Sequence, residues 1–140
     1  MTQRRRVLVL FAIGLLGVVL AATPLAARAE SGTPRVINLY AAGPQPQRLE
    51  VRAGDAVVWV SHLAPTKLVV VTLAFLDGAR VAEATAPLAG YNGFVLEGEH
   101  FVGRMEGSGG KVALRFTTSG AYTYALGHKP DITGTIVVAK

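Results

Sequence analysis

The chain has 140 residues, 51% of them hydrophobic, a formal net charge of +5 and no cysteine. The missing cysteine excludes disulfides, thiolate metal ligands and cysteine nucleophiles. The charge gives no case for nucleic acid, because Arg4, Arg5, Arg6 and Arg28 all fall within the first 29 positions and the rest carries 10 basic against 9 acidic residues.

The first segment, MTQRRRVLVLFAIGLLGVVLAATPLAARAE, sets three arginines before a run without charge from Val7 to Ala27. The run closes on Ala27-Arg28-Ala29. A basic start, an apolar stretch and an A-x-A site predict a secretory signal peptide over residues 1–29, and with it a periplasmic or secreted product. The dense apolar part, Val7 to Ala22, is short beside the roughly 20 residues of a spanning helix. Membrane attachment is expected only if the leader stays uncleaved. Residues 30–140 are then one domain, long enough for a proper core.

Beyond the leader the pattern is that of strands. Val36 to Tyr40 is short and β-rich, and Arg48 to Arg52 alternates, with Leu49 and Val51 on one face and charges on the other. Ala53-Gly54-Asp55 supplies a tight turn in which the glycine takes positive φ. Ala56 to Val60, apolar on both faces, is a central strand, and Lys67 to Phe75 is another buried one. Residues 77–111 are rich in glycine and read mainly as loops, with helical turns over Ala79–Ala86, a short strand at Phe94–Leu96 and a hairpin turn at Gly107–Lys111. That last glycine cluster is no phosphate loop, since Val112 occupies the Ser/Thr position. Val112–Phe116, Ala121–Leu126 and Thr133–Ala139 complete an all-β antiparallel sandwich or barrel of about seven to eight strands.

Two motifs carry a family resemblance. Leu49-x-Val51-x-x-Gly54-Asp55-x-Val57-x-Trp59-x-Ser61 and Gly120-x-Tyr122-x-Tyr124, followed by Gly134-x-Ile136-x-Val138, resemble the two halves of the cupredoxins, the plastocyanin- and amicyanin-like blue copper proteins. The match covers about residues 34–75 and 112–140. It implies a Greek-key β-sandwich and, in the family, a type 1 copper held by two His, one Cys and a weak axial Met. The family spacing puts Lys67 at the first His position. Counting back from Gly134 through the family's C-x-x-H-x-x-M loop puts Ile132 at the Met, Lys129 at the second His and Leu126 at the Cys. The resemblance thus implies a copper frame in which all four ligand positions are degenerate. A protonated lysine has no lone pair to give a metal, and nothing replaces the thiolate.

The expected function is therefore an exported cupredoxin-like binding or accessory protein without a cofactor, acting on an unknown periplasmic or extracellular protein partner. A copper-handling protein using His62, His128 and His100, with Glu97 or Glu99 beside them, is the alternative, and an electron-transfer protein a further one. Trp59, Tyr122 and Tyr124 are read as packing aromatics, with an electron path or a recognition surface as the rivals. Lys67 and Lys129 are read as solvated, with an anion patch as the rival. No G-x-S-x-G or H-E-x-x-H motif is present, so no enzyme is expected.

Overall fold

The computed structural model describes residues 33–63, 70–127 and 129–140. The predicted leader, Lys67 and His128 lie outside the described residues. Thr33–Lys140 form one compact unit of two sheets. The first holds β1 (Arg35–Tyr40), β2 (Gly43–Gln45), β4 (Ala56–His62), β6 (Thr85–Ala86) and β9 (Ser108–Phe116), in the order β2-β1-β4-β9-β6. The second is β3-β11-β10-β5-β8-β7, from β3 (Arg48–Arg52), β5 (Val70–Phe75), β7 (Phe94–Glu97), β8 (His100–Glu106), β10 (Gly120–Leu126) and β11 (Lys129–Ala139). One short helix, α1 (Gly78–Glu83), follows β5.

Alternation places the core. Leu49 and Val51 are buried and their charged neighbours exposed, as the pattern of β3 requires. Val57 and Trp59 of β4 point inward and are wholly buried, and β4 lies between β1 and β9 as a central strand should. Trp59 is the hub of the interior, with ring centroids of Phe94 and Tyr124 at 5.6 Å and Phe75 at 6.0 Å. A buried aromatic of this kind is worth about 3–5 kcal/mol against alanine. Tyr122 donates from its hydroxyl to the Thr118 carbonyl at 2.8 Å, closing the corner before β10. Arg80 of α1 lies 4.5 Å over the Tyr122 ring and holds the helix to β10 through the Ala121 carbonyl at 2.7 Å. The three aromatics singled out from sequence therefore pack the core.

The sandwich departs from the sequence reading in its strand count, its pairings and its connections. Among the described residues it has eleven strands, three of them no longer than four residues, against the seven to eight expected. Two pairings, β1 with β4 and β3 with β11, are parallel within otherwise antiparallel sheets. Gly54 has φ +99, as the turn reading requires, and the turn carries the chain from one sheet to the other. Gly107–Lys111, by contrast, is no hairpin turn: β8 belongs to the second sheet and β9, already under way at Ser108, to the first.

Nearly half of the glycine-rich middle is strand. β8 runs where a loop was expected, because Gly103 breaks its apolar pattern in the sequence but not in the sheet. Phe94, paired opposite it on β7, lays its ring where a side chain would be, 2.8 Å from an added Cβ. The helix ends at Glu83 and Thr85–Ala86 pair with β9 instead of continuing it. Among the described residues no helix is long and apolar enough to cross a membrane.

Candidate functional site at the loop end of the sandwich

One end of the sandwich gathers the last residues of β4, the start of β5, the end of β8 and the β10–β11 connection. His62 pairs with Ser108, Val70 with Glu106, and Gly127 donates its N–H to the Thr72 carbonyl at 2.7 Å. Ser61, wholly buried, ties this end together by donating to the Gly107 carbonyl at 2.7 Å, while the Leu63 N–H reaches the same carbonyl at 2.9 Å.

The three described ligand positions have different surroundings. Leu126 is 1% exposed, a member of the core cluster in register with Leu73. Lys129 stands exposed as its partner across the β10–β11 turn. The ladder then slips, from Leu126↔Lys129 to Ala125↔Thr133, and Pro130, Asp131 and Ile132 bulge out of register with β10. Ile132 is half-buried against the core and approaches β2, where its Cγ2 would be 3.2 Å from a Cβ on Gly43.

His62 is exposed and accurately held. Its Nε2 lies 2.9 Å from Asn38 Oδ1, and its ring stacks on Tyr40 at 5.0 Å and 15°. Sequence reading singled out His62 but missed Tyr40 and Asn38. The available signal was their alternation: both point outward from β1, Asn38 between the buried Ile37 and Leu39 and Tyr40 just after Leu39. His100 belongs elsewhere. It opens β8 in a hairpin with Glu97, six residues from Glu106, so about 20 Å of strand separates it from the end where His62 lies. Glu97 is already engaged, accepting from Arg104 Nη2 at 2.8 Å, and the Arg104 guanidinium holds its carboxyl below the usual range. Among the described residues no three His, Asp or Glu side chains gather as a metal site.

Beside the Tyr40–His62 stack runs a cleft of about 240 Å³, lined by Tyr40, Gly43, Pro44, Gln45, Gln47 and Ile132. A wider, shallower depression of about 580 Å³ lies along Tyr91, Asn92 and Lys111.

No protein-family model matches the chain, and no curated protein matches it. Solved structures do. A Cu(I) form of an amicyanin variant is 22% identical, with a TM-score of 0.54 over 79% of this chain and 88% of its own. Amicyanin from Paracoccus versutus is 17% identical, with a TM-score of 0.54 over 78% and 84%. A reduced Cu(I) form of another amicyanin variant, at pH 4, is 20% identical, with a TM-score of 0.53 over 78% and 85%.

The fold is that of a cupredoxin. At these identities the likeness speaks for the fold alone. On this cupredoxin fold a type 1 copper does not suit the residues present. The chain contains no thiol, Leu126 is packed into the apolar core, and Lys129 brings an ammonium group.

Proposed function

We propose that the chain is a binding or accessory module on a cupredoxin fold and not a type 1 electron carrier or an enzyme. One observation carries this reading: at the position the family spacing assigns to the thiolate, Leu126 is buried among core side chains. The β-sandwich closes over an apolar residue there, so the frame is retained for packing. The leader-like residues 1–29 support delivery to the periplasm or the outside of the cell, with a protein partner there. Outward-facing loops on a rigid sandwich are the usual place for such contacts.

Copper handling is the second reading, and His62 favours it. Its ring is exposed at the loop end with one nitrogen bonded to Asn38, and the other nitrogen has no partner among the described residues. Calorimetric titration of the purified protein with Cu(II) and Zn(II), followed by visible absorption and EPR, separates the two. The binding-module reading expects no tight stoichiometric uptake and no intense thiolate band. Stoichiometric binding lost in His62→Ala selects copper handling instead.

A further inference from the structure

We propose that the cleft between the β1–β2 hairpin and the Pro130–Ile132 bulge binds a neutral saccharide, one pyranose ring stacking on Tyr40 and its hydroxyls bonding to Gln45 and Gln47. The proposal rests on the binding-module reading and names the ligand class of that end of the fold.

Four features of the cleft converge on this ligand. Tyr40 is 45% exposed, yet it is not loose: His62 backs one face of its ring, and Asn38 fixes His62. An aromatic ring ordered in advance loses little freedom on binding. The apolar C–H face of a pyranose suits the negative face of such a ring. Second, the residue across the hairpin from Tyr40 is Gly43, at φ +134. Any side chain there would be strained and would run into Ile132, so the glycine is what keeps the cleft open beside the ring.

Third, the polar lining consists of amides. Gln47 donates one Nε2 hydrogen to the Thr133 carbonyl at 3.1 Å, which orients the side chain and leaves its Oε1 and second N–H for a ligand. Gln45 adds a second donor–acceptor pair. Sugar hydroxyls, each donor and acceptor, match amides in both roles. None of the described lining residues is charged, so an ionic ligand would lose water without gaining a counter-charge. Fourth, the volume is below the roughly 300–1,000 Å³ of pockets for drug-sized ligands, so the cleft takes a single ring. A proline-rich peptide is the competing ligand, since Pro44 and Tyr40 both line the cleft. Grooves for such peptides are lined by several aromatic side chains, whereas Tyr40 is the one aromatic among the described lining residues.

The test is a titration of the purified, ¹⁵N-labelled protein with cellobiose, maltose, mannobiose and diacetylchitobiose, and separately with a proline-rich decapeptide. Backbone amide shifts of Gly43, Gln45, Gln47 and Ile132 are followed. At least one disaccharide is expected to saturate with a dissociation constant on the order of 1 mM, as one stacked ring and a few hydrogen bonds allow. Tyr40→Ala should weaken it by about tenfold or more, Tyr40→Phe should restore it, and Lys111→Ala should leave it unchanged. Should Tyr40→Ala fail to fold, the double variant Gln45→Ala/Gln47→Ala is held to the same criterion. The proposal is overturned if no disaccharide saturates by about 50 mM, well past that constant. Binding that survives Tyr40→Ala, or saturation by the peptide alone, overturns it too. Peptide binding would leave the binding-module reading standing, whereas copper uptake lost in His62→Ala would remove that reading without bearing on the sugar titration.

Discussion

Gly134 stands directly across the β10–β11 ladder from Tyr124, and replacing it by alanine tests the packing of the C-terminal half. A Cβ at this position would lie 2.2 Å from the Tyr124 hydroxyl oxygen and 2.3 Å from Cζ. The tyrosine cannot retreat, because its ring is wholly buried with Phe75 at 5.5 Å and Trp59 at 5.6 Å. The ladder must therefore shift or the ring must leave its place. Overpacking of this kind costs about 1–3 kcal/mol, and with both partners fixed in paired strands the upper figure is expected. For a domain of this size each kcal/mol moves Tm by roughly 4–8 °C, so Gly134→Ala should unfold about 12–24 °C below the parent by circular dichroism. The double variant Gly134→Ala/Tyr124→Leu removes the clash, and its loss should fall short of the sum of the single losses by about 1 kcal/mol or more. A Tm for Gly134→Ala within about 3 °C of the parent would refute the packing argument.

Burial raises the Tyr124 phenol from 10.0 to about 12, only partly opposed by the nearby Trp59 indole. Its neutral form is the one the fold prefers, so its contribution is complete below pH 10 and is lost as pH rises towards 12, at about 1.4 kcal/mol per pH unit. Urea unfolding across this window should show that slope, and Tyr124→Phe should flatten it; an unchanged slope would assign it to other groups. At Gly54, φ +99 in open surroundings predicts a purely conformational penalty for Gly54→Ala of about 1–2 kcal/mol, read from the urea midpoint at constant m-value. If Lys67, Leu126, Lys129 and Ile132 occupy the four family ligand positions, the combined variant Lys67→His/Leu126→Cys/Lys129→His/Ile132→Met should bind copper with an intense thiolate absorption. The same variant with Lys129 retained, so that His128 must serve, should not. A correctly folded quadruple variant that stays colourless with copper would refute the correspondence.

The parts of the fold legible in the sequence are those set by local chemistry. Leu49 and Val51 alternating with charges mark β3, the doubly apolar run around Trp59 marks a central strand, and Gly54 marks a turn that needs positive φ. The spacing back from Gly134 put Leu126, Lys129 and Ile132 close together in the chain; in the structure Leu126 ends β10, Lys129 opens β11 and Ile132 lies in its bulge. Tertiary structure decided what depends on partners distant in the chain. Whether Gly54 or Gly107 turns a hairpin or crosses between sheets depends on which strands wait on either side, and the turn residues are suited to both. Gly103 looks like a loop residue until the ring of Phe94 covers it from the next strand. Of the three described ligand positions, only packing makes Leu126 core, Lys129 surface and Ile132 the wall of a cleft. The Tyr40–His62 stack arises because β1 and β4 pair in parallel with Leu39 beside Ser61, bringing together two strand ends that no local period connects. Side-chain periodicity repeats every two residues and can be read along a strand; the identity of the neighbouring strand is a long-range choice, made by the burial that only the closed sandwich provides.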